Sequence, residues 1–173
     1  MSNFFTAVKA LNPVEVLVIT GYHAQEIEAE LARVNHSLGL PVSIIRNPCA
    51  ADGQASSVRF ALENLKSTFD VLMVALSDQP NTTEHELLIL LDQFSKRESN
   101  REIVLPQVRG QRGNPVLFSN KVVRNILEIP EMDCRRYMDL NPELVQRFET
   151  PHEAFVLDVD TLEDIQKLGI DRP

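Results

Sequence analysis

Short, apolar, β-branched runs alternate with amphipathic ones along almost the whole of this chain. Residues 14–20 (VEVLVIT), 41–46 (PVSIIR), 71–76 (VLMVAL) and 102–105 (EIVL) read as strands. Continuous apolar runs of this length are typical of strands covered on both faces. The 71–76 run has no polar residue and reads as the central strand. Between these runs, residues 24–36 place Ile27, Leu31 and Val34 at helical spacing, and residues 56–66 do the same with Val58, Ala61, Leu62 and Leu65. A further helix is expected to start at Thr82 or Thr83, with Glu84 or Glu86 in its first turn, and to end near Lys96. Strand–helix alternation implies a mostly parallel sheet with helices on both faces, an α/β fold. Ligands in such sheets bind beyond the carboxyl ends of the strands, here the loops after Thr20, Arg46, Leu76 and Leu105.

The rest of the chain reads in shorter pieces. Residues 109–114 (RGQRGN) read as a turn and 115–118 as an extended return. Residues 121–127 and 135–140 are short helices, 147–149 and 155–159 late strands, and Thr161 caps a last helix to Leu168. With no linker or repeat, the 173 residues read as one domain, 1–173. Net charge is −8, which argues against sequence-independent nucleic-acid binding and an anionic membrane surface but leaves room for a local basic cleft. No run is long and apolar enough to span a bilayer, and no signal peptide is visible, so the expected compartment is the cytoplasm. Cys49 and Cys134 have no C-x-x-C spacing, and neither lies at zinc-ligand spacing from a histidine.

Five groups can carry chemistry. Asp78 directly follows the most apolar strand, where a carboxylate is placed either to hold a divalent metal or to cap the next helix. Asp158 and Asp160 fall on one face of a strand end, a repulsion that a cation offsets; the alternative is an N-cap before Thr161. Gly53, Gln54, Ser56 and Ser57 lead into a helix N-terminus, suited to a nucleotide's polar groups or to a simple cap. Arg109 and Arg112 stand among glycines in 109–115, able to grip a phosphate or to tip a solvated hairpin. Asp133, Arg135 and Arg136 open a short helix that faces either a substrate or solvent. Cys134 lacks a nearby base and is not expected to be a nucleophile.

The order and spacing of these pieces resemble the MobA-like NTP transferases, and within them the molybdenum-cofactor cytidylyltransferase branch. The resemblance runs from about Val14 onward, through Asn47-Pro48 with 53–57, LSDQP at 76–80, RGQRGNPVLF at 109–118, residues 133–136, and DVDTLED at 158–164. It implies a three-layer α/β/α, Rossmann-like fold of GT-A type. It further implies Mg²⁺ held by Asp78 and Asp160 with Asp158 beside them, CTP or another NTP bordered by Gly53, Gln54, Ser56 and Ser57, and a molybdopterin-type acceptor lined by Arg112, Gly113, Asn114, Pro115, Asp133 and Arg136. The reaction implied is Mg²⁺-dependent transfer of CMP from CTP with release of pyrophosphate.

One departure is large. The family opens with a strand and a glycine-rich loop, L-A-A-G-x-S-x-R-M-G, followed by a Lys, and this sequence has no counterpart. The first strand is therefore expected to be missing, leaving neighbouring strand edges unpaired unless a partner or a second copy covers them. The chain reads as an N-terminally shortened enzyme, or as a non-catalytic relative that delivers molybdenum cofactor to a molybdenum hydroxylase. A nucleotidyltransferase for another phosphorylated acceptor is the remaining alternative.

Overall fold

The structure is a computed structural model that describes residues 2–76 and 82–157. Its first part is a helix, α1 (Ser2–Ala10), then β1 (Val16–Thr20), α2 (Ala24–Leu38) and β2 (Val42–Arg46). Strands β1 and β2 pair in parallel, from Val16 opposite Val42 to Thr20 opposite Arg46. Alternation puts Val16, Val18, Val42 and Ile44 on one face. That face packs against Phe5 of α1 and Leu31 and Val34 of α2. Helix α2 ends at Gly39, whose φ of 64° is left-handed and whose N–H donates to the Asn35 carbonyl.

The second part contains α3 (Gln54–Glu63), β3 (Val71–Val74), α4 (Glu84–Ser95), β4 (Ile103–Val108), β5 (Gln111–Arg112), β6 (Val116–Ser119), α5 (Asn120–Glu128), α6 (Cys134–Leu140) and β7 (Val145–Glu149). Strand β4 is the deepest, with all six residues buried. It pairs with β7 in parallel and with β5 and β6 antiparallel, and β6 in turn pairs antiparallel with β3. Strands β3, β4 and β7 therefore share a direction, and β6 runs against them. One face of this sheet offers Leu72, Ile103, Leu105, Val116 and Phe118 to α3, α5 and α6. The other offers Val71, Met73, Val104 and Leu117 to Leu90 and Phe94 of α4. Helix α1 lies against both α2 and α4 on one side, and α3 packs on β1 from the other side. The result is a three-layer α/β/α arrangement with parallel strands.

Two readings of the sequence change. The 71–76 run is apolar like a central strand, yet β3 ends its ladder and all four of its residues are only half-buried. Among the described residues, β1 and β3 each have a strand on one edge only, and the sheet is split between them. The two still lie together at their starts. The Glu15 carboxylate, just before β1, accepts hydrogen bonds from the N–H groups of Lys66 and Ser67, on the way into β3. The second change is at 155–159, read as a strand. Glu153–Phe155 is a 3₁₀ turn, because the Phe155 ring is fully buried against α4 and β4 and its carbonyl accepts from the Asn114 N–H. Residues 158 and 159, and the last helix from Thr161, lie outside the described residues.

Candidate functional site

A cavity of about 750 Å³ opens beside the α3–α6 face of the second sheet. Its floor is apolar, made by Val74, Leu105, Val116 and Phe118. One wall is the first turn of α3, with Gln54, Ala55 and Val58; the opposite wall is α6 and its cap, Asp133 to Asp139; the rim is the segment 111–114. Of the sequence-derived candidates, Gln54, Arg112, Gly113, Asn114, Asp133 and Arg136 thus meet around one space. An apolar floor with a few polar groups at the mouth is the usual form of a small-molecule site.

The rim is rigid for reasons visible in its residues. The Gly113 N–H donates to the Pro106 carbonyl, and the Asn114 N–H to the Phe155 carbonyl. A Cβ at Gly113 would lie 2.7 Å from the Phe155 oxygen, so no other residue fits this crossing. Pro115 follows on a cis peptide and leads into β6. Arg109, at the hairpin turn, pairs with Glu153 at 2.5 Å, and Arg112 pairs with Asp139 of α6 at 2.6 Å. The Asp133 carboxylate caps α6 by accepting from the Arg136 N–H at 2.9 Å. The guanidinium groups of Arg135 and Arg136 make no ion pair among the described residues, so the mouth carries spare positive charge. Cys134, the first residue of α6, is buried; burial first, and Asp133 second, push its thiol up to about 12. It is a protonated core thiol at neutral pH, as the lack of a partner base suggested.

The loop into α3 is organised by Asn47, which is 6 % exposed. Its Nδ2 donates to the hydroxyls of Ser56 and Ser57, and its Oδ1 accepts from the Cys49 N–H. Ser56 also donates to the Cys49 carbonyl. Both serines therefore bind their own loop in this structure, and Gln54 and Ala55 are the residues of the turn that face the cavity. Gly53, at φ 91°, makes the reversal before α3, and no side chain caps the helix.

Asp78, Asp158 and Asp160 lie outside the described residues, and among the described residues no cluster of three His, Cys, Asp or Glu is placed to hold a metal. The elements next to these aspartates are held together. Thr83 and Glu86 cap α4 reciprocally, immediately after residues 77–81. Glu86 Oε1 is 3.4 Å from Nδ1 of His152, and the His152 ring lies 5.7 Å from that of His85. The Thr82 hydroxyl, almost wholly buried, donates to the Ala154 carbonyl. The start of α4 thus grips the segment that leads to Asp158.

Sequence reasoning missed three of these residues. Asp139 gave no signal, since its partner Arg112 lies on a distant hairpin. His152 had no neighbouring motif. Arg59 reads only as a helical partner of Glu63, whereas it also binds carbonyls at the end of α5 and just before Asp133.

This fold, with its cavity at the carboxyl end of β3, is that of nucleotidyltransferases. The MobA-like NTP transferase domain matches residues 4–147, and the chain belongs to that family. It is similar in structure to 4-diphosphocytidyl-2C-methyl-D-erythritol synthase from Anaerococcus prevotii, with a TM-score of 0.74 at 11 % identity over 96 % of this chain and 82 % of that one. It is also similar to Rv0371c of Mycobacterium tuberculosis in complex with manganese, with a TM-score of 0.66 at 21 % identity over 96 % and 83 %. A nucleotidyl transferase from Methanothermobacter gives a TM-score of 0.67 at 17 % identity over 96 % and 76 %. None of the curated proteins matches the chain. No helix among the described residues is long and apolar enough to cross a membrane.

Proposed function

We propose that the chain is a nucleotidyltransferase of the CTP:molybdenum cofactor cytidylyltransferase type. The observation that carries this reading is the family match across residues 4–147, joined to a cavity with an α3 wall on one side and an arginine-bearing rim on the other. Gly53, Gln54, Ser56 and Ser57 border the nucleotide. Arg112, Gly113, Asn114, Pro115, Asp133 and Arg136 face the phosphorylated molybdopterin-type acceptor. An acceptor phosphate oxygen attacks the α-phosphorus of CTP; a new P–O bond forms, the bond to the β-phosphate breaks, and pyrophosphate leaves. Asp78, Asp158 and Asp160 offer hard carboxylate oxygens, a donor set that suits Mg²⁺ or Mn²⁺. Such an ion, when bound, offsets charge on the transferred and leaving phosphates. Rim arginines hold the acceptor, and the apolar floor excludes water from it.

The test is calorimetric titration of the full chain with CTP, with and without Mg²⁺ or Mn²⁺, alongside pyrophosphate release in the presence of molybdopterin cofactor. Asp78→Asn is expected to weaken metal-dependent CTP binding by roughly tenfold or more. Unchanged binding in that variant would sink the metal assignment. A cofactor-binding relative would bind the pterin without releasing pyrophosphate, and would hand it to a molybdenum hydroxylase. A panel of nucleotides and phosphorylated acceptors separates both from a transferase for another acceptor.

A further inference from the structure

We propose that Asp139 competes with the ligand for Arg112, holding its guanidinium at the rim of the empty cavity and yielding it to an incoming phosphate. The inference rests on the reading above, that the cavity takes a phosphorylated acceptor. Arg112 and Asp139 both line the cavity, and they meet through one contact, Nη2 to Oδ1 at 2.6 Å. A single contact leaves the other donors of the guanidinium uncommitted. The two side chains are 41 % and 48 % exposed, so solvent screens their attraction and the pair is easily exchanged. A phosphate offers more charge and a bidentate match to the same fork, and so takes the arginine from a lone carboxylate oxygen.

The surrounding residues let this exchange occur without moving the hairpin. Arg109 anchors the turn to Glu153, outside the cavity lining, and the backbone bonds of Gly113 and Asn114 fix the rim. Asp133, the cavity's other carboxylate, already caps α6, which leaves Asp139 as the competitor. Gln107 stands opposite Arg112 in the β4–β5 ladder, and paired residues of a ladder share a face. That face also carries Leu105, part of the cavity floor. Among the described residues, the Oε1 of Gln107 is buried with no donor. A guanidinium released from Asp139 therefore has an acceptor waiting on its own face. Asp139 lowers affinity for any phosphorylated ligand, and selects for those with enough charge to displace it.

The experiment measures binding of 1-naphthyl phosphate and of 1-naphthol, which lacks the phosphate, to the wild-type chain, Asp139→Asn, Asp139→Ser, Arg112→Gln and the Asp139→Asn/Arg112→Gln double variant. Both aspartate variants are expected to bind the phosphate roughly threefold to tenfold more tightly, with 1-naphthol unchanged. Arg112→Gln is expected to weaken phosphate binding and to abolish the gain in the double variant. If the gain survives in the double variant, Asp139 acts only through its general field and the exchange is refuted. If Arg112→Gln weakens binding while the aspartate variants bind no more tightly, Asp139 is only a strut; the phosphate-site reading then stands and this inference falls. If no variant prefers the phosphate over 1-naphthol, the phosphate-site reading itself fails, and the inference with it.

Discussion

Arg59 is the residue that ties α3 to the end of α5 and to the turn into α6, beside the cavity. Its Nη1 donates to the carbonyls of Ile126, Ile129 and Met132, its Nη2 to that of Leu127, and its Nε to Glu63. These are carbonyls of the end of α5 and of the turn into Asp133, and those of Ile126 and Ile129 also accept one backbone N–H each, from Ile129 and Met132. Its side chain is 19 % exposed, so water does not replace these bonds fully when they are lost. Arg59→Ala is expected to cost about 2–3 kcal/mol in urea unfolding. Arg59→Lys is expected to recover only part of that, because a point charge cannot reach several carbonyls as a planar fork does. The pairing with Glu63 four residues on was legible in the sequence; the fan of carbonyls was not, since it depends on α5 docking beside α3. The same holds for the rim. Arg112, Gly113 and Asn114 stood out as a motif, but the need for glycine at 113 comes from Phe155, a residue no motif links to it.

At the scale of elements, the start of α4 shows how a legible signal acquires a role that was not legible. Thr83 with Glu86 is a capping box that the sequence advertises. Burial works to raise the Glu86 carboxyl, but hydrogen bonds from the Thr83 hydroxyl and N–H, with His152 nearby, outweigh it and hold it below its ordinary 4.5. A carboxyl depressed on folding adds stability that is complete above the unfolded value and is lost as pH falls through the folded one. Thr83→Ala is expected to cost about 1 kcal/mol near neutral pH. Its deficit against wild type should shrink in acid, once pH has fallen through the depressed folded value and Glu86 is protonated in both. Thermal melts of the two proteins at both pH values check this, and an equal deficit at both would separate the cap from Glu86. The clasp to His152 was invisible because it joins segments far apart in the chain. The reading of a strand over 155–159 is overturned at 155–157, the part that is described, for a related reason. Apolar alternation there reflects one aromatic ring set into the core, and a single anchor gives the same pattern as a short strand.

At the scale of the whole molecule, the alternation of apolar and amphipathic runs specified the layers, and it could not specify where the sheet divides. Strands covered on both faces look alike in composition whether or not each edge is paired. Strand β4 has partners on both edges, whereas β1 and β3 have, among the described residues, one each. Their half-buried apolar residues match that difference. Backbone N–H groups on an unpaired edge open to water at low cost, while those inside a ladder require wider unfolding. Native-state hydrogen exchange should therefore show amides in Val16–Thr20 and Val71–Val74 exchanging well before those of Ile103–Val108. Equal protection would show that both edges are covered in solution, and sedimentation would then reveal whether a second copy does so. The consequence for function is direct. Strand β3 leads into residues 77–81, which carry Asp78, and β1 leads into the turn where Gly21 packs tightly on Ala50 beside the α3 loop. Two strands with one partner each among the described residues thus lead into two loops of the proposed site. A ligand bound against these loops should slow exchange in β1 and β3 before it changes β4.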